Sequence, residues 1–113
     1  MKVVTLDVSS TEEVKRRALE AFSGKKQRPR ISFATPELLW KVLTAKRWEL
    51  LKAMTGQGPI TIREAARRVG RDVKAVHGDV HGLLAAGLLD KTDEGRVVFP
   101  FDAVRVDFTL RAA

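Results

Sequence analysis

Between Thr61 and Leu89 the chain runs "TIREAARRVGRDVKAVHGDVHGLLAAGLL", and its apolar residues recur at the helical period in two blocks separated by a glycine. Ile62, Ala65, Ala66 and Val69 supply the first stripe, and Val73, Val76, Val80, Leu83, Leu84 and Leu88 the second. Thr61 opens the first block with Glu64 three residues on, the spacing of a capping box, and Gly70 ends it. Asp72 stands at the N-cap of the second, expected over Asp72 to Leu88. Two short helices joined by a turn of about three or four residues containing a glycine form a helix-turn-helix arrangement.

The flanks extend this pattern. Upstream, "TPELLWKVLTAKRWELLKAMTG" offers Thr35 as an N-cap, Pro36 at the first helical position, and Leu38, Leu39, Val42 and Leu43 for burial. Thr44 caps a fresh start, with Trp48, Leu51 and Met54 at helical spacing before Gly56 and Gly58 stop it; within such a pattern Trp40 and Trp48 are expected in the core. Ile60 suits a brief strand. Downstream, "LLDKTDEGRVVFPF" changes period: Leu88 to Thr92 and Arg96 to Phe99 read as a β-hairpin about the turn Asp93 to Gly95. "AVRVDFTLR" then alternates, with Val104, Val106, Phe108 and Leu110 on one face of a strand. Helix, short strand, two helices and a hairpin is the element order of a winged helix-turn-helix domain.

The N-terminal region is thinner. Val3 to Val8 reads as a short strand, and Ser9 or Ser10 with Glu12 and Glu13 starts a helix over Thr11 to Phe22 that buries Val14, Leu19 and Phe22 at best. "SGKKQRPR" follows as an extended linker, either a solvated connector or a basic arm along a nucleic-acid backbone through Lys25, Lys26, Arg28 and Arg30. The expected fold class is α+β, mainly α, with residues 1–30 as a strand-helix arm and residues 31–113 as the winged helix-turn-helix domain. The arm and the Val104 to Leu110 strand are expected to help form a dimer, because their apolar faces otherwise lack a partner.

With 113 residues the chain holds one core. No stretch approaches the roughly 18 to 20 apolar residues of a membrane span, no secretory signal is evident, and there is no cysteine, so a cytoplasmic protein without membrane attachment, disulfides or thiol chemistry is expected. No Ser/His/Asp constellation, phosphate loop or paired carboxylates in an apolar setting appear, so no enzyme and no cofactor are expected. A formal charge of +7 points to a polyanionic partner.

His77 and His81, four residues apart, share one side of their helix. A catalytic zinc helix carries Glu directly after its first histidine; here Gly78 stands there, and no third histidine completes a site, so no metal is expected. At about 100° per residue, Ala75, Gly78 and Gly82 project away from the buried stripe while Lys74, His77 and His81 flank them. A helix entering the major groove needs a surface that low, since bulk there holds the backbone off the base edges; the alternative is close helix packing. The base-reading candidates are Arg71, Lys74, Ala75, His77, Gly78 and His81, with Asp79 expected to pair with an arginine. The backbone candidates are Lys46, Arg47, Thr61, Arg63, Arg67, Arg68 and Arg96, with helix N-termini adding N–H groups for phosphates.

"ISFATPELLWKVLTAKRWELLKAM", "REAARRVGRDVKAVHGDVHGLLAAGLL" and "GRVVFPFDAVRVDFTL" together resemble prokaryotic winged helix-turn-helix transcriptional regulators, MarR-like in their DNA-binding core, over about Ile31 to Leu110. Some members are encoded beside a small toxin and act as its antitoxin. The resemblance implies sequence-specific binding of double-stranded DNA as a homodimer, as in an autorepressor, and a toxin protein as a partner. The alternative expectation is an antitoxin whose main role is to bind a protein, with DNA binding secondary.

Overall fold

A computed structural model describes residues 1–24 and 29–109. In chain order the elements are β1 (Val3–Val8), α1 (Thr11–Phe22), β2 (Arg30–Phe33), α2 (Pro36–Val42), α3 (Ala45–Met54), α4 (Ile62–Val69), α5 (Val73–Ala85), β3 (Asp90–Lys91), β4 (Val97–Val98) and β5 (Ala103–Asp107). The fold is α+β. The four helices that begin at α1, α2, α3 and α4 do so where a hydroxyl accepts a backbone N–H three residues on: Ser10 from Glu13, Thr35 from Leu38, Thr44 from Arg47 and Thr61 from Glu64. Asp72 occupies the same position before α5, but its side chain makes no capping bond.

The first and last strands join one sheet. Its order is β2-β1-β5, parallel throughout, with Leu6 opposite both Ile31 and Val106. Alternation puts Val4 and Leu6 on one face, both wholly buried in the cluster that also holds Leu39, Leu50, Met54, Val76, Val80, Leu83, Leu88 and Val97. The opposite face is polar. There Asp7 and Ser32 are register partners, and Arg17 of α1 reaches Ser32, Ser9 and Asp7, while Arg30 also pairs with Asp7. Helix α1 therefore meets the sheet through charge and hydrogen bonds, and the helical body meets it through apolar packing. Burial pushes the Asp7 carboxyl up, but hydrogen bonds from Ser32, Ser9 and Arg30 and the Arg30 charge outweigh that and hold it below its ordinary range.

Several expectations change here. Val14, Leu19 and Phe22 are exposed, not buried, because α1 turns Arg17 toward the sheet and its apolar residues away. The tryptophans are not core either. Trp48 is at the surface and Trp40 is half exposed with its ring edge-on to Phe108 at 5.9 Å, because Leu39 takes the inward side of α2 and Leu50, Leu51 and Met54 that of α3. The linker ends in a strand that its composition did not announce, since Arg30 opens β2. Val4 and Leu6 of β1 are buried in the core, and Val104 and Phe108 pack against it, whereas Val106 is exposed, so most of the apolar surface given as the reason for a dimer interface is covered within one chain. The sheet also spans the expected boundary after residue 30. Lys25, Lys26 and Arg28 of the basic linker, and Leu110 and Arg111 of the last strand, lie outside the described residues.

The hairpin forms as the period change requires. Strands β3 and β4 are antiparallel, Thr92 and Arg96 bond across the turn, and Gly95 adopts a φ of 82° there. Ile60 bridges the other edge of β4, exchanging both backbone hydrogen bonds with Val97 at 2.9 and 2.8 Å and so fastening the hairpin ahead of α4.

Candidate nucleic-acid interface

Helices α4 and α5 pack through Ala65, Ala66, Val76 and Val80, all buried, and Gly70 turns the chain between them with a left-handed φ of 65°. With Val76, Val80 and Leu83 buried, the other side of α5 faces solvent. Lys74, Ala75, His77, Gly78 and His81 are all exposed on it. A Cβ added at Gly78 would meet nothing within 4 Å, so that stretch of surface is low and open.

Gly82 behaves otherwise. A Cβ there would lie 2.5 to 2.7 Å from the guanidinium of Arg47, which crosses α5 at this point. Arg47 Nε donates to Asp79 Oδ1 at 3.1 Å and Nη1 to the Val42 carbonyl at 3.0 Å. Arg71, in the turn before α5, reaches Asp79 Oδ2 at 2.8 Å with its Nη2, and its Nη1 is buried without a hydrogen-bond partner among the described residues. Burial raises the Asp79 carboxyl, but Arg71 and then Arg47 more than offset it, so it titrates below the usual carboxylate range. The triad ties the start of α3 and the α4–α5 turn to one carboxylate on α5. Its members are only about one-fifth exposed.

A second carboxylate gathers two more of the candidate arginines. Glu64 pairs with both Arg67 and Arg68, and Arg68 also donates to the Gln57 side chain at 2.8 Å. The Arg67 and Arg68 hydrogen bonds lower the Glu64 carboxyl to about 2. Five of the cations singled out in the sequence, Arg30, Arg47, Arg67, Arg68 and Arg71, thus carry a carboxylate partner. Arg63, Lys74, Lys46 and Arg96 make no ion pair with described residues. The expected pairing of Asp79 with an arginine is present twice over; the same residue identity gave no sign that Arg47, 32 residues upstream, would be one of the two.

A groove of about 500 Å³ between α3 and the end of α4 brings further groups together: Lys46, Lys52, Arg68 and Arg71 line it, with Glu49 the sole acid. Thr61 spends its hydroxyl on the Glu64 amide. Arg96 stands at the hairpin turn, where its own amide is held by Thr92. Arg30 lies with Asp7 at the sheet.

Residues 42–106, well over half the chain, match the model of the HVO_A0114 family. The chain belongs to the HVO_A0114 family. No curated protein and no solved structure matches it. The family match spans α3, α4, α5, the hairpin and most of β5, so it contains every member of the Arg47–Asp79–Arg71 triad and the whole exposed side of α5. In this HVO_A0114 chain β1, α1 and β2 lie outside the matched span. No helix among the described residues is long and apolar enough to cross a membrane.

Proposed function

We propose that this protein is a sequence-specific double-stranded DNA-binding regulator, acting as a homodimer on its own promoter, with a MarR-like winged helix-turn-helix of α4, α5 and the β3–β4 wing. One observation carries the reading: the solvent side of α5 is low at Ala75 and Gly78 and flanked by Lys74, His77 and His81. Such a surface lets a helix backbone approach base edges while its flanking donors reach them. Lys46, Arg63 and Arg96 then serve as phosphate contacts, which fix orientation and carry little sequence information. Arg71 and Arg47 act chiefly by holding α5 in place.

The test is enrichment of random double-stranded DNA by the purified chain, followed by binding to the selected site at two salt concentrations. A palindromic site whose binding falls by about 1–3 kcal/mol on Lys74→Ala or His77→Ala supports the reading. Sequence-indifferent binding that disappears as salt rises reduces the basic surface to a general phosphate attractor.

A second reading has an observation of its own. Helix α1 shows Val14, Leu19 and Phe22 to solvent, which favours a protein-binding role of the antitoxin kind, with DNA binding secondary. Co-purification with the product of the adjacent gene, lost on Phe22→Asp, supports it; no complex with that product by sedimentation rejects it.

A further inference from the structure

The lack of a glutamate beside His77 argues against zinc catalysis, but it has no bearing on chelation, and here the geometry is informative. The two imidazole rings stand 4.2 Å apart between centroids, and a hydrogen bond between their Nε2 atoms holds these 3.1 Å apart. A metal bound at about 2.0–2.1 Å to each of two imidazole nitrogens places them about 2.9 Å apart at a right angle and about 3.4 Å apart at the tetrahedral angle. The observed separation lies between those limits. Both rings are exposed, and the backbone carrying them is held by Val76, Val80 and Leu83 beneath, each with no exposure. Gly78 leaves the space beside them empty, and Asp79 is turned to Arg47 and Arg71.

We infer that His77 and His81 form a two-ligand clip on the exposed side of α5 for a late first-row divalent cation such as Cu²⁺, Ni²⁺ or Zn²⁺. Imidazole suits these ions, whereas Mg²⁺ and Ca²⁺ take oxygen ligands. Each ring binds through Nε2 and keeps its proton on Nδ1. No group of three or more metal-ligating side chains exists among the described residues, so the remaining coordination positions face solvent. The clip is thus an open site and not a structural one. Its consequence for regulation rests on the proposed function: a cation seated between two base-reading candidates changes what α5 presents to the groove.

The experiment is calorimetric titration of the full chain, free of any histidine tag, with CuCl₂, NiCl₂, ZnCl₂ and MgCl₂. One equivalent per chain is expected, tightest for Cu²⁺, with no heat from Mg²⁺. His77→Asn and His81→Asn each weaken binding on the order of a hundredfold, the advantage conferred by a second ligand already in place. Both residues are exposed, so the variants keep the parent's unfolding curve, and their loss of binding reports on ligation. Absence of saturable binding, or single variants that titrate like the parent, overturns the clip. With a selected DNA site in hand, the metal-loaded parent shifts its affinity about tenfold or more while His81→Asn does not; an unchanged affinity overturns the regulatory consequence. If no DNA site is ever enriched, the DNA reading fails and the titration still decides the clip.

Discussion

Two glycines in one helix divide by what lies above them. Gly78 faces open space, so Gly78→Ala gains helix propensity with no clash, and chemical denaturation should show the variant more stable by about 0.5–1 kcal/mol. Gly82→Ala gains the same propensity but drives a methyl into the Arg47 guanidinium, which must shift and so disturbs its bond to Asp79. The second variant should be no more stable than the parent, and equal gains for both would mean Arg47 is not fixed there. Asp79 itself sets an acid dependence. Its folded pKa lies below the unfolded value of about 3.9, so its contribution is complete above that value and is lost as pH falls through the folded one. Asp79→Asn should lower stability at neutral pH by about 1–3 kcal/mol and make the acid limb of the stability–pH curve shallower. Asp7 is lowered in the same sense, so part of that limb remains. At this scale the sequence was a partial guide. It placed small residues and histidines on the outer side of α5, because helical angles follow from spacing alone. It did not distinguish Gly78 from Gly82, since the difference lies in a side chain delivered from α3.

Among the elements, legibility followed locality. The caps at Ser10, Thr35, Thr44 and Thr61 are short-range hydrogen bonds within one turn, and the helix starts fell where those hydroxyls stand. Helix α1 ran Thr11–Phe22 as its pattern required. Which side of it would be buried was not legible, because that choice depends on Asp7 and Ser32 beneath Arg17. Strand β2 was missed for a related reason: its four residues begin at a proline-flanked arginine inside a basic run, and only the neighbouring β1 makes them a strand. The caps give a direct comparison. Thr61→Ala removes a hydroxyl that bonds the Glu64 amide and should cost about 1 kcal/mol in thermal or chemical unfolding. Asp72→Ala removes only a charge near the start of α5, with no capping bond, and should cost a few tenths of that figure. A larger loss at Asp72 would mean that its carboxylate caps α5 in solution.

At the scale of the whole molecule, Leu6 on β1 and Leu83 on α5 are members of one buried cluster, each with no exposure. Leu6→Ala and Leu83→Ala should each cost about 2–5 kcal/mol. Both should shift a single transition followed equally by far-ultraviolet circular dichroism and by tryptophan fluorescence. Two separated transitions would show that the strand-helix arm and the helical body unfold independently. The same packing changes how the arm can be probed. Removing residues 1–22 deletes the central strand of the sheet, leaving β2 and β5 with no neighbour, so loss of a dimer in that variant would report a damaged fold as readily as a lost interface. Point changes at exposed residues such as Leu19 and Phe22 avoid the problem.

The pairing of Val3 with Ala103 sets an order on synthesis. Strand β1 emerges from the ribosome well before β5, so one of its edges can be satisfied early, against β2, while the other stays bare until residues 103–107 follow. The helical body contains mostly local contacts and can collapse during that interval, while the parallel closure between distant segments is the slower event. Until β5 emerges, the nascent chain carries an unpaired β-edge, the feature most apt to capture a neighbouring copy, and crowded polysomes are where that risk is greatest.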